Sequence, residues 1–395
     1  MSTLFWRKKA SQARDLEPDP WNSPAEGLAN SLRAFGLEFL QKECARKPKQ
    51  NVFISPLSVF LALAMTKNGA AGATERVMRK TLALPSYPSD AAINDAIFSI
   101  MRSLRLQVGV DLTIANALWA DVRFTFAQEF VRLSESIYEA PVCTLDFTQP
   151  SAASAINGWI SERTRGNIRG IVSDPDLKDS IALVTNAVYF KGKFSEPFLK
   201  EKTKRRAFYV VEGQEKLVPM MRGQLWGSYR SGNEFEAAAL RYRGSTIALF
   251  VLLPEKGTRP EEIMTVEGLK ELLVEHSSID VDLSLPRFTI EFATQLKESL
   301  EQMGMGIAFK HSEADFSPMG GRELFISEVA HKTKLEVDEE GTIAAAATAT
   351  MECLASAAEP VRRQLKTLVF NRPYSIFLAD TATGVVLFAG AIYEP

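Results

Sequence analysis

The stretch that most constrains this chain lies near its C-terminus, from Val329 to about Ala358. His331, Thr333, Leu335 and Val337 alternate with Lys332, Lys334, Glu336 and Asp338, which predicts a strand with one buried and one wet face. The alternation stops at Glu339-Glu340-Gly341, where glycine lets the chain turn without steric penalty. Next comes Thr342-Ile343-Ala344-Ala345-Ala346-Ala347-Thr348-Ala349-Thr350, small and uncharged, and then Met351 to Pro360, which has neither period. Alanine favours a short helix here. The sharper expectation is a segment that is an exposed loop in one state and a strand in another. Thr342, Ala344, Ala346, Thr348 and Thr350 fall on one face and are small enough to enter a gap in a packed sheet. Larger side chains would overpack such a gap, and charged ones would be buried unpaired.

A chain of 395 residues, 46% apolar, can bury one large core or two modest ones. Its net charge of −2 comes from interspersed signs, so no nucleic-acid partner is expected. Cys44, Cys143 and Cys353 are odd in number and far apart, which suits neither a disulfide framework nor zinc. No metal and no cofactor is expected. Met1 to Lys9 leads into polar residues and prolines instead of an apolar signal core, and no run of 18 apolar residues exists. The expected location is therefore cytoplasmic, away from membranes, or extracellular if the sequence is a truncated form.

Residues 1–22 read as a flexible extension and 23–395 as a single domain. Ser23-Pro24-Ala25-Glu26 is a capping box, followed by Leu28, Leu32, Phe35 and Phe39 on one helical stripe. Asn51 to Ile54 reads as a short strand, and Ser55-Pro56 caps a helix that is apolar nearly all round. Ser58 inside that helix needs a hydrogen-bond partner if buried. Further helices are expected at about Asp90–Leu104, Ile156–Ile168, Glu261–His276 and Thr294–Met303. Strands are expected at Asp111–Trp119, Ile181–Phe190 (apolar on both faces around Asn186), Glu236–Arg241, Ile247–Pro254 and Val281–Phe292, with a closing hairpin of Tyr374–Leu378 and Val385–Phe388. Helices early and strands late, without a βα repeat, predict an α+β fold.

Catalytic chemistry is hard to find. There is no Gly-x-Ser-x-Gly elbow, His-Glu-x-x-His pair or phosphate-binding loop, and Gly304-Met305-Gly306 lacks a third glycine. Of three histidines, His276 and His311 sit in polar surroundings, while His331 lies on the inward face of its strand, as a structural histidine does.

Several motifs in a fixed order resemble the serpins. They are Asn51-Val52-Phe53-Ile54-Ser55-Pro56-Leu57-Ser58; Asn116-Ala117-Leu118-Trp119; Thr185-Asn186-Ala187-Val188-Tyr189-Phe190-Lys191-Gly192-Lys193; and Val218-Pro219-Met220-Met221. Leu285-Pro286-Arg287-Phe288, Ala314-Asp315-Phe316-Ser317, Glu339-Glu340-Gly341-Thr342 with its alanines, and Phe370-Asn371-Arg372-Pro373-Tyr374 complete the set. The resemblance implies three β-sheets, about nine helices and an exposed reactive-centre loop at about residues 339–365. It implies a shutter of Ser55, Ser58, Asn186 and His331 beneath the central sheet, and a hinge of Glu339, Glu340, Gly341, Thr342 and Ala344 to Ala347. Counting as in inhibitory loops, it places the reactive bond at Ala355-Ser356, with Leu354 as the alternative. Phe194 stands where the family usually has tryptophan, which predicts looser packing at the top of the sheet. Ile343 replaces a common glutamate with its side chain expected outward, and Glu352 has the parity of inward-facing residues.

By the same resemblance the chain is a monomeric suicide-substrate inhibitor of serine proteases and not an enzyme. Its partner is a protease held as a covalent acyl-enzyme, elastase-like first and chymotrypsin-like second. A non-inhibitory carrier, storage or chaperone role is the alternative, against which the small hinge residues argue. The helix at Asp90–Leu104 is not notably basic, so glycosaminoglycan activation is not expected from it.

Overall fold

A computed structural model describes residues 24–85, 89–177, 180–210, 214–274, 277–320, 324–342 and 364–395. The flexible-extension expectation for 1–22, the Ser23 cap, His276, Ile343, the alanines 344–347, Glu352, and Leu354, Ala355 and Ser356 all lie outside the described residues. Among the described residues, nine α-helices and sixteen strands form three sheets.

The central sheet runs, edge to edge, Phe288–Gln295, Glu328–Val337, Gly341–Thr342, Ala182–Lys193, Val110–Asp121 and Val142–Leu145. The second sheet carries the C-terminal hairpin, Tyr374–Asp380 with Val385–Ile392, beside Ile247–Pro254, Phe235–Arg241, Tyr229–Ser231 and Val52–Ile54. The third has four strands: Leu365–Val369, Asp280–Pro286, Glu215–Leu225 and Lys204–Tyr209.

One core occupies the space between the first two sheets, around the helix Pro56–Lys67, every residue of which is buried. Its apolar run on all sides dictates that position. Ser55 caps the helix in extended conformation, its Oγ accepting from Ser58 N at 3.3 Å, with Pro56 in the first turn. A smaller cluster lies on the opposite face of the central sheet, where Ile156 and Ile160 of the helix Ser151–Arg163 pack on Ala115, Ala117, Trp119 and Ala187.

Some boundaries differ from the sequence expectation. The helix expected at 156–168 spans Ser151–Arg163, because Arg165 (φ 51°) and Gly166 (φ 77°) turn the chain left-handed. Val281–Phe292 is two strands in two sheets, divided at Arg287 next to Pro286. The Thr294–Met303 segment begins as strand to Gln295 before its short helix Lys297–Leu300.

The face of the Glu328–Val337 strand expected to be wet is partly covered. Lys332 is buried there, its Nζ donating to the carbonyls of Arg169 (2.8 Å) and Gly170 (3.2 Å) and pairing with Glu291 at 2.6 Å. The segment after the 151–163 helix lies over that side of the sheet, and the long lysine stem reaches through to its backbone.

Candidate functional site

The seam of the central sheet lies where the Glu328–Val337 strand meets the Ala182–Lys193 strand. The two run parallel and pair directly from Glu328 opposite Leu183 up to Lys334 opposite Tyr189. Above that, the short strand Gly341–Thr342 sits between them, with Thr342 opposite both Val337 and Gly192. The sheet is thus closed below and parted at its top by the first two residues that follow the turn.

Beneath the closed part sits a polar cluster. His331 is directly opposite Asn186 in register. Ser55 N donates to His331 Nε2 at 3.2 Å, so the ring proton resides on Nδ1 and is donated to Asn186 Oδ1 at 2.5 Å. Asn186 Nδ2 passes the chain on, donating to Ser58 Oγ (2.6 Å) and Asn116 Oδ1 (2.5 Å). Ser58 Oγ donates to Asn116 Oδ1 at 3.1 Å, and Asn116 Nδ2 returns a bond to Ser58 O at 3.0 Å. Ser55 Oγ donates to Leu387 O at 2.6 Å, tying the cluster to the C-terminal hairpin. All five side chains are buried.

Burial pulls the His331 imidazole down to about 3, against a smaller upward pull from Asn186, so the ring is neutral at ordinary pH. A neutral, buried histidine that is already a donor on one nitrogen and an acceptor on the other is a fastener between strands, not a free base. The His331–Asn186 bond crosses the seam itself. A strand added there would part the two by one strand spacing, roughly 4.8 Å, and break it.

The turn from Asp338 to Thr342 is fixed as firmly. Asp338 N donates to Gly341 O (2.9 Å), and Asp338 Oδ1 accepts from the amides of Glu340 (2.9 Å) and Gly341 (3.1 Å), closing a tight turn. Gly341 has φ +152°, and a Cβ there would stand 2.2 Å from Gly192 O, so this position requires glycine. Glu339 is buried, accepting from Thr203 Oγ1 at 2.7 Å with Arg287 Nη1 at 3.7 Å. Glu340 pairs with Lys200 at 2.7 Å, and that bond holds its carboxyl below the usual range. The carbonyls of Glu339 and Glu340 accept from Phe198 N (2.7 Å) and Phe194 N (2.9 Å). Thr342 is wholly buried and faces the core, its Oγ1 meeting the Tyr242 hydroxyl at 2.5 Å.

Phe194, where looser packing was expected, is 1% exposed, with ring contacts to Tyr242 (5.2 Å) and Phe198 (6.3 Å). His311 is exposed, as expected, and stacks its ring edgewise with Phe325 at 5.4 Å. No group of three His, Cys, Asp or Glu side chains that could hold a metal ion occurs among the described residues.

The structure therefore brings Ser55, Ser58, Asn186 and His331 into one network and Glu339 to Thr342 into one turn. Sequence reasoning missed Asn116 as the fifth member, and it missed Tyr242, Thr203 and Arg287 as partners of Thr342 and Glu339.

The family model for serpins (serine protease inhibitors) matches residues 30–395. The chain belongs to the serpin family. Leukocyte elastase inhibitor A of Rattus norvegicus is 32% identical to this serpin over 392 residues, covering 94% of this chain and 100% of that one. The solved structure of the thermophilic serpin tengpin in its native state superposes with a TM-score of 0.84, at 29% identity, over 98% of both chains. The thyroxine-binding globulin complex with thyroxine is also similar, with a TM-score of 0.82, at 25% identity, over 93% of this chain and 99% of that one. The fold thus serves both inhibitor and carrier relatives. No helix among the described residues is long and apolar enough to cross a membrane.

Proposed function

We propose that this serpin is an inhibitor that traps a serine protease by inserting its own cleaved loop into the central sheet. The observation that carries this reading is the parted seam. Gly341–Thr342 already lies between the two strands that pair directly below it, at the point where an inserting strand would enter. A protease acting on the loop forms an ester between its serine and the carbonyl of the residue before the cleaved bond. The freed arm, from Thr342 onward, then adds to the sheet next to the His331 strand, in the manner known as a general serpin switch. Each inserted residue extends the strand by about 3.3 Å, so the tethered protease is carried tens of ångströms. Strain on its active site displaces the oxyanion hole and triad from the ester, and hydrolysis stalls. The chain is consumed once and is a partner of the protease, not a catalyst.

What supports the inhibitory reading over a carrier role is the hinge chemistry. Thr342 is small and its hydroxyl is satisfied inside the sheet, and the next residues of its parity, Ala344 and Ala346, are smaller still. The expected reactive bond is Ala355-Ser356, which suits a shallow elastase-like primary pocket, with a chymotrypsin-like slot taking Leu354 as the alternative. Neither offers the cation that a trypsin-like pocket needs, and Arg362-Arg363 lie too far along for the arm to stay taut.

Incubation with a panel of serine proteases, followed by a denaturing gel and intact mass, tests this. A band at the summed mass with an elastase-like enzyme, and release of a peptide beginning at Ser356, is the expected result. Release beginning at Ala355 with a chymotrypsin-like enzyme favours the alternative site. Cleavage of the loop by every enzyme with no covalent adduct would overturn the inhibitory reading in favour of a carrier or storage role.

A further inference from the structure

Phe194 to Phe198 form a strap at the top of the central sheet. Phe194 N donates to Glu340 O at 2.9 Å and Phe198 N to Glu339 O at 2.7 Å, so the strap grips the 338–342 turn at two points. Ser195 N donates to Arg241 O at 2.8 Å on its other side. Both phenylalanines are buried. Between them stands Glu196, half-buried, followed by Pro197, which has no N–H to offer.

Glu196 ties the strap to a second tight turn, Trp226-Gly227-Ser228. Its Oε2 accepts from Trp226 N at 2.8 Å, and the buried Asp280 accepts from Gly227 N, also at 2.8 Å. Arg241 donates to the carbonyls of Trp226 and Gly227, both at 3.1 Å, and Arg230 donates to Gly227 O at 3.4 Å. Gly227 has φ +57°, and a Cβ there would stand 2.8 Å from Ser277 O. Glycine is therefore required, and the turn aims its two amides at two separate carboxylates.

The position calls for an acceptor more than for a charge. The charged groups acting on Glu196 are Arg241 of the strand Phe235–Arg241, which also spends two donors on carbonyls, and the like-charged Asp280 of Asp280–Pro286. Arg230 of Tyr229–Ser231 acts on the same turn, and Lys200 beyond the strap is taken by Glu340. Burial pushes the Glu196 carboxyl above its ordinary range. The Trp226 amide and Arg241 pull it down by less, and Asp280 adds to the rise. A strap lifted into water would hold that proton less tightly, so proton uptake favours the docked strap and ionisation favours release. Stability supplied in this way is complete below the ordinary glutamate range, about pH 4.3, and is lost as pH rises through the raised folded value.

We propose that Glu196 is a pH-set latch on this strap. Protonated, it holds the Trp226 amide without burying a charge and keeps the strap docked on the 338–342 turn; ionised, it loosens both. The device acts where Thr342 enters the central sheet, and it is independent of whether the loop inhibits a protease.

Amide hydrogen exchange of residues 194–198, followed from about pH 8 to about pH 4.5, tests this in the purified full chain. The parent is compared at each pH with Glu196→Gln, which keeps an acceptor without the charge, and with Glu196→Ala, which removes both. Circular dichroism confirms the fold of each, and His331 is common to all three, so its own titration cancels in the differences. At the upper pH, Glu196→Gln should slow exchange about threefold relative to the parent, and the difference should close toward the lower pH. Glu196→Ala should exchange faster than Glu196→Gln throughout. Three outcomes would overturn the proposal. They are faster exchange in Glu196→Gln than in the parent at the upper pH, a difference between those two that does not change with pH, and equal protection in the glutamine and alanine variants.

Discussion

The hydroxyls of Tyr242 and Thr342, one hundred residues apart in sequence, meet at 2.5 Å in a fully buried setting. Tyr242 stands behind the top of the seam, its ring 4.9 Å from Phe190 and 5.2 Å from Phe194, and burial pushes its phenol well above the usual range. The bond holds the Thr342 side chain inside the top of the central sheet. It explains how a polar residue is tolerated where only small apolar ones would otherwise fit.

Removing one partner should therefore be worse than removing both. Tyr242→Phe leaves the Thr342 hydroxyl buried and unsatisfied, and should lower stability by about 1–2 kcal/mol. Thr342→Val alone strands the phenol in the same way. The double variant should recover part of the summed loss, giving a coupling of about 1 kcal/mol in a double-mutant cycle of urea unfolding. Strict additivity would mean that the two hydroxyls do not interact in solution.

Glu339 and Arg287 form the second restraint on the 338–342 turn, with Thr203 Oγ1 on the other carboxylate oxygen. Glu339→Lys would bury a cation facing Arg287 and deprive Thr203 of its acceptor. A loss of on the order of 3 kcal/mol is expected, discounted toward the lower end because Arg287 is half-exposed. Arg287→Glu added to Glu339→Lys should restore part of it, read as recovery of the unfolding midpoint. No recovery would assign the loss to the Thr203 bond alone.

The polar cluster under the seam has a pH signature. His331 is held at about 3 in the fold against about 6.5 in the unfolded chain, so the unfolded state binds the extra proton first. Its contribution to stability is complete above about pH 6.5 and is lost progressively as pH falls toward 3. The slope approaches about 1.4 kcal/mol per pH unit below 6. Compared with His331→Gln, the parent should show the steeper fall in melting midpoint between pH 6.5 and 5. Parallel pH profiles would place the imidazole in contact with water.

How far the sequence disclosed this arrangement depends on the range of the interaction. Alternation along Val329–Val337 announced a strand with His331 inward, and Ser55-Pro56 announced a cap, because both are local patterns. Asn116 was legible by the same logic: it shares an inward face with Ile114 and Leu118, and an asparagine there needs partners just as Asn186 does. Tyr242, Thr203 and Arg287 left no local trace, since their roles arise only when segments 52 to 136 residues away close on the 338–342 turn. Val281–Phe292 is two strands, and the local mark of the break is a change of phase at Pro286-Arg287, from apolar Val281, Leu283 and Leu285 to apolar Phe288, Ile290 and Phe292, where the chain passes from one sheet to another. Lys332 was misread as solvated because the cover above it comes from residues 169 and 170, far away in sequence.

If the proposed insertion mechanism holds, a bulky charge at position 342 should separate cleavage from trapping. Thr342→Arg places a guanidinium against Tyr242 in the core, at a cost of several kcal/mol for an unpaired buried charge. The variant should still be cut by the cognate protease while its yield of denaturant-stable complex falls severalfold. An undiminished yield would show that insertion does not begin at Thr342.

Central to the account is a sheet that stays one strand short until the loop is cut, and melting of intact against loop-cleaved protein tests it most directly. An inserted arm of about ten residues adds ladder hydrogen bonds worth about 1 kcal/mol each and buries apolar side chains. The cleaved form should therefore melt higher by on the order of 20 °C. Coincident melting of the intact and cleaved forms would contradict insertion and, with it, the inhibitory mechanism.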